Sequence, residues 1–189
     1  MIDKKGFTLI ELLAVITILG ILMLVAIPAV SRTIENARKN TFITTAQTYV
    51  EAVRNSWAAD EISCGPDDNR KVASALPVNQ YYYVEFATDS TKEGFNNGAA
   101  LIGDGGKSSW GSADVEGFVT VHVEEISTPG ASADAPKSIK LTYYVSMVDT
   151  GGHGIDTTTV PADQLTRADV KVTSAALPTK TGTKCVVTG

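Results

Sequence analysis

The sequence predicts an α+β fold: one long N-terminal helix, its first half protruding and its second half packed on an antiparallel β-sheet. Three observations predict it. Residues 7–30 hold 24 positions and one charge, Glu11. Residues 31–59 continue with apolar side chains at helical spacing. Beyond residue 60 the chain changes to alternating segments rich in Tyr, Val and Thr, punctuated by Gly and Pro.

The apolar run comes first in the chain. A charge-free stretch from Leu12 to Val30 is long enough to span a bilayer core of ~30 Å as a helix. Lys4 and Lys5 precede it, so the positive-inside rule places the N-terminus in the cytoplasm and everything after Val30 outside. A secretory signal peptide would have a shorter core and an A-x-A-like site, and neither is present. A plain signal anchor explains the length and the lysines. It does not explain Glu11, because a carboxylate in a membrane segment costs a few kcal/mol and is seldom there without a role.

The local string is Lys5-Gly6-Phe7-Thr8-Leu9-Ile10-Glu11-Leu12-Leu13. It resembles the prepilin signature of type IV pilins and their relatives, strongly over about the first 30 residues. The resemblance implies a pilin-like fold and a leader, Met1 to Gly6, cut by a prepilin peptidase between Gly6 and Phe7. It further implies N-methylation of Phe7 and use of Glu11 in filament assembly. Gly20 and Pro28 also fall where that family often has them. The implied partners are copies of the same chain in a helical filament, other pilins, an inner-membrane assembly platform, and the membrane before assembly. The implied location is the cytoplasmic membrane, then the cell surface. Cutting after Gly6 removes Asp3, Lys4 and Lys5, so the whole chain's −5 less the leader's +1 leaves −6.

The second helical stretch, Ser31 to Ala59, sets Ile34, Ala37, Phe42, Ala46, Tyr49, Val50, Val53 and Trp57 on one face. Arg32, Glu35, Lys39, Gln47, Glu51 and Arg54 lie opposite. Cys64-Gly65-Pro66 is the expected stop. One helix from about Phe7 to Ala59 would be ~80 Å long. Gly20 and Pro28 weaken it between them. An ordinary membrane kink and a segment that unwinds on assembly both account for that pair.

The organisation expected is therefore a leader at 1–6, a transmembrane or filament-core segment at 7–30, an amphipathic helix at 31–59 and a β-rich head at 60–189. Strands are predicted at Tyr81–Thr88, Phe118–Ile126 and Ser138–Val148, with shorter ones at Asp169–Ser174 and Lys184–Thr188. The second and third read as an antiparallel pair joined through Pro129-Gly130 and Ala135-Pro136. Gly94–Gly117, with seven glycines, reads as a long irregular loop. Cys64 and Cys185 both follow the membrane segment, hence lie in an oxidising exterior, and a disulfide between them is expected. Two buried free thiols are the alternative.

No catalytic constellation emerges, and neither an enzyme nor a cofactor is expected. Gly105-Gly106-Lys107-Ser108 lacks the earlier glycine of a phosphate loop, since Leu101 stands there. His122 and His153 have no metal-ligand neighbours at zinc-site spacing, and Asp67-Asp68 is too short for a calcium loop. His122 reads as a surface residue on a polar strand face, and His153 as a loop residue. With 16 basic against 21 acidic residues, nucleic-acid binding is not expected, a small patch near Arg70-Lys71 aside. The leading function is a structural subunit of a type IV pilus-like filament. A pseudopilin of a secretion or competence system, a minor tip subunit, and a tethered binding domain that never polymerises are the alternatives.

Overall fold

The computed structural model describes residues 8–103, 105–126 and 137–188. The chain divides into two compact units, Met1–Arg38 and Lys39–Gly189. In the first, helix α1 (Leu9–Ala58) begins. Its large apolar side chains are exposed throughout, from Leu9 at 85% to Val30 at 55%. It is continuous through Gly20 and Pro28, although Pro28 has no N–H to give to the carbonyl four residues back. By length and composition it can cross a membrane.

In the second unit α1 buries Phe42, Ile43, Ala46, Tyr49, Val50, Val53 and Trp57. Ile43, Ala46, Val50, Val53 and Trp57 step by three and four, which keeps one face toward the core. Three positions depart from the expected stripe. Ile34 is 49% exposed, Ala37 is exposed too, and burial starts only at Phe42, while Ile43 joins the buried face. Tyr49 stacks on Phe86 with ring centroids 3.8 Å apart. Trp57 meets Tyr82 at 5.8 Å, and Phe42 meets Trp110 edge-on at 5.5 Å. Each such buried aromatic contributes roughly 1.5–3 kcal/mol of transfer free energy.

The helix ends at Ala58, one residue short of the expected Ala59 and ahead of Gly65-Pro66. Asp60 takes a left-handed conformation, φ 57°. Its N–H bonds to the Trp57 carbonyl, and the Glu61 N–H to the Ser56 carbonyl. This double closure satisfies two orphan carbonyls and stops the helix.

The sheet has eight strands: β1 (Ile62–Cys64), β2 (Lys71–Val72), β3 (Gln80–Ala87), β4 (Val115–Ile126), β5 (Ser138–Asp149), β6 (Gly154–Ile155), β7 (Val170–Lys171) and β8 (Thr183–Val187). Their spatial order is β2-β1-β8-β3-β4-β5-β6-β7. The fold is α+β, as expected, but the sheet is mixed rather than antiparallel. β8 inserts between β1 and β3 and runs parallel to β3, with Val84 opposite Cys185. The cause is the long return from β7 at one side of the sheet to β8, which brings the last strand in along β3. β4 and β5 form the antiparallel pair that alternation predicted, in register from Val115–Asp149 to Ile126–Ser138. The loop through Pro129-Gly130 and Ala135-Pro136 lies outside the described residues.

A second correction concerns Gly94–Gly117. It is not loop throughout, because α2 (Phe95–Ile102) forms inside it. A Cβ on Gly98 would stand 2.3 Å from the Ala87 carbonyl oxygen. The glycine is there for close approach to β3, not for a turn.

Candidate functional site

The start of α1 is built as a reciprocal cap. The Thr8 backbone N–H and its hydroxyl each donate to Glu11 Oε2 at 2.8 Å. The Glu11 N–H donates in return to Thr8 Oγ1 at 3.3 Å. Thr8 stands as N-cap and Glu11 as the third helical residue, so the N–H groups of Thr8 and Glu11 find partners. The carboxylate is thereby held at the mouth of an exposed apolar run. Gly6 and Phe7, the expected junction, lie outside the described residues.

Along the run, hydroxyls are satisfied within the helix. Thr17 donates to the Ala14 carbonyl at 2.8 Å and Thr33 to the Ala29 carbonyl at 3.0 Å. This is the arrangement a hydrocarbon environment demands of isolated polar groups. A Cβ at Gly20 would meet nothing within 4 Å. Within its own unit, then, no packing contact requires that glycine. Glu11 is the one acidic or basic residue between Thr8 and Val30.

A model describing the prokaryotic N-terminal methylation motif matches residues 1–27. The chain carries the type IV prepilin signature. That signature supports a pilin-like or pseudopilin precursor and points to a structural protein rather than an enzyme. With the apolar helix it fits a membrane-anchored precursor. No curated protein and no solved structure matches the chain.

In the head, Cys64 and Cys185 are bonded to one another, joining β1 to β8 at directly paired positions. The head also holds buried charge that its sequence did not signal. Glu85, 6% exposed on β3, receives hydrogen bonds from Lys180, and Lys184 Nζ stands 2.9 Å from Glu85 Oε2. Burial works to raise the Glu85 carboxyl, but the two ammonium groups outweigh it and hold it below the usual carboxylate range. Asn97 of α2 donates to the Glu85 carbonyl at 2.9 Å and accepts from the Val187 N–H at 3.1 Å, so α2 ties β3 to β8.

His153 is more than a loop residue. Its Nδ1 lies 2.9 Å from Asp149 Oδ2, and its ring stacks on Trp110 at 4.5 Å. Asp149 also accepts from Ser108 Oγ at 2.7 Å and from the Gly151 N–H at 2.8 Å. Burial pushes its carboxyl up, and these donors together bring it below the ordinary value. Asp149 accepts from both side chains and so clasps Ser108 to the turn that carries His153. His122 stacks on Tyr81 at 4.2 Å across β3 and β4. Arg70 pairs with Asp67, which removes half of the small basic patch. Among the described residues no cluster of three metal-ligating side chains occurs. The contacts of Glu85 with Lys180 and Lys184, of Asp149 with Ser108 and of Tyr81 with His122 join residues far apart in sequence, so local spacing gave no sign of them; Asp149–His153 and Asp67–Arg70 are only four and three positions apart.

Proposed function

We propose that this chain is a structural subunit of an extracellular type IV pilus-like filament, processed by a prepilin peptidase and assembled through its N-terminal helix. One observation carries the reading: a lone carboxylate, Glu11, in an exposed apolar helix that starts just after the Gly6-Phe7 junction. Residues 1–6 are the leader, 7–30 the segment held first in the membrane and then among copies of itself. Residues 31–59 lead into the head, 60–189. Cleavage frees an amine at Phe7, which is then methylated. An isolated carboxylate in lipid is costly, and a cation relieves that cost. In a filament, the amine of a neighbouring subunit is such a cation, and Glu11 is its partner. Gly20 and Pro28 supply the weak stretch of helix that unwinds on packing.

Mass spectrometry of the N-terminus of sheared surface filaments tests this directly. A chain beginning at methylated Phe7 is expected. Gly6→Leu should leave an uncut precursor in the membrane. Normal processing of Gly6→Leu, or absence of the chain from filaments, would overturn the reading.

A further inference from the structure

A groove of about 580 Å³ opens in the head between α1, β5 and the short helical turn Ala162–Gln164. That volume is in the range of ordinary small-molecule sites. Val50, Leu141, Pro161 and Ala162 give it an apolar lining. The turn is fixed to the helix by Gln47, whose Nε2 donates to the Ala162 carbonyl at 3.2 Å. Two walls of the groove are thus joined to one another.

One polar group in the lining has no partner. Tyr143 is 6% exposed, and its hydroxyl makes no hydrogen bond of good geometry. Arg54 lies 5.0 Å from the centre of its ring and pairs with Glu51 at 2.9 Å. A buried hydroxyl left unsatisfied costs about 1–3 kcal/mol, a cost that Phe in the same place would not carry. Burial pushes the pKa of this hydroxyl up, so it keeps its proton and can donate. The Arg54–Glu51 pair is exposed and therefore weak, so Arg54 can turn aside and uncover the hydroxyl.

The lining also says what would enter. Glu51 and Asp163 stand against Arg54 and Lys140, and Lys140 is already 4.0 Å from Glu124. An anion would meet the two carboxylates and a cation would meet Arg54, so neither sign of charge is favoured. A purely apolar ligand would strip water from these groups and give nothing back. An uncharged polyol suits them. Its hydroxyls both donate and accept, and its C–H faces can lie on the apolar lining.

We infer that this groove binds a neutral sugar, with the Tyr143 hydroxyl donating to a sugar oxygen while Glu51 and Asp163 accept from sugar hydroxyls. The site lies wholly in the head and is independent of the filament reading.

The test is calorimetric titration of the full chain, held in a detergent whose head group carries no sugar. The probes are two neutral hexamers, of glucose and of N-acetylglucosamine, and two charged ones, of glucosamine at mildly acidic pH and of galacturonate. At least one neutral hexamer should bind, and both charged ones should bind at least about tenfold more weakly. No binding of either neutral hexamer, or tighter binding of a charged one, would overturn the inference. Tyr143→Phe then separates binding from packing, because it removes one oxygen and keeps the ring. Without sugar its urea midpoint should hold or rise, while its affinity for the neutral hexamer falls severalfold. A lower midpoint would show that the hydroxyl is already satisfied in the free protein. An unchanged affinity would show that it takes no part in binding. Either result would overturn the inference and leave the filament reading standing.

Discussion

Glu11 has two accounts at the scale of the residue, and the cap at Thr8 lets them be separated. In one, the carboxylate is there to close the helix start. In the other, its charge pairs with a neighbour's amine. A Gln at the third helical position serves a Thr cap as well as a Glu does. Glu11→Gln therefore keeps the cap and removes the charge. Thr8→Ala does the reverse, losing about 1 kcal/mol of helix-start stability and keeping the charge. If charge drives assembly, the Glu11→Gln chain inserts and is cut but yields few filaments, whereas Thr8→Ala filaments stay abundant. Counting sheared filaments from cells with each variant as sole subunit decides it. Plentiful Glu11→Gln filaments would reduce Glu11 to a capping residue. The charge itself was plain in the sequence, as one acid in an apolar run. The cap was hidden in the same string, because Thr8 and Glu11 have capping-box spacing but no break in composition announces a helix start.

Among the elements, long periodic segments were legible and short ones were not. β4 and β5 alternate within their twelve residues, and β3 is eight residues rich in Tyr, Val and Phe, so each shows itself. β1, β2 and β6 have three residues or two, too few for a period, and exist because neighbours in the sheet hold them. α2 was masked by its own glycines. Composition reads Gly94 and Gly98 as loop, yet both lie against the β3 backbone. Gly98→Ala tests that account. The added methyl would sit 2.3 Å from the Ala87 oxygen and 3.1 Å from its nitrogen, backbone atoms that cannot swing aside. α2 would have to lift, and the Asn97 bridge between β3 and β8 would stretch. Overpacking of this kind costs about 1–3 kcal/mol. Both tryptophans, Trp57 and Trp110, pack in the head, so urea unfolding followed by their fluorescence reads the loss. An unchanged midpoint would show that α2 is not pressed on β3.

At the scale of the molecule, the last strand locks the head, and it does so by charge and by covalent bond. The charge lock is Glu85 with Lys180 and Lys184, which brings the returning C-terminal segment onto β3. Glu85 is held below its unfolded value, so its contribution is complete above the ordinary carboxylate range and fades as pH falls through the lowered value. Glu85→Gln should accordingly flatten the acid side of the head's stability profile; an unaltered acid limb would refute the lock. The covalent lock is Cys64–Cys185. It spans 121 positions, from just after α1 to β8 near the C-terminus. Closing a loop of that size restricts the unfolded chain, a stabilisation of roughly 4–5 kcal/mol in the entropy model. For a small domain that is a large share of a total near 5–15 kcal/mol. Among the described residues β8 is the one strand between β1 and β3, so freeing it should loosen that side of the sheet before β4 and β5 open. Cys64→Ser with Cys185→Ser tests this without reductant. The double variant should unfold at markedly lower urea. Limited proteolysis should first cut near residues 65–79 or 172–182, with the β4–β5 pair protected. Equal urea midpoints for variant and parent would show that the bond adds no stability. A single cooperative loss of all strands together would show that β8 is not the weak seam of the head.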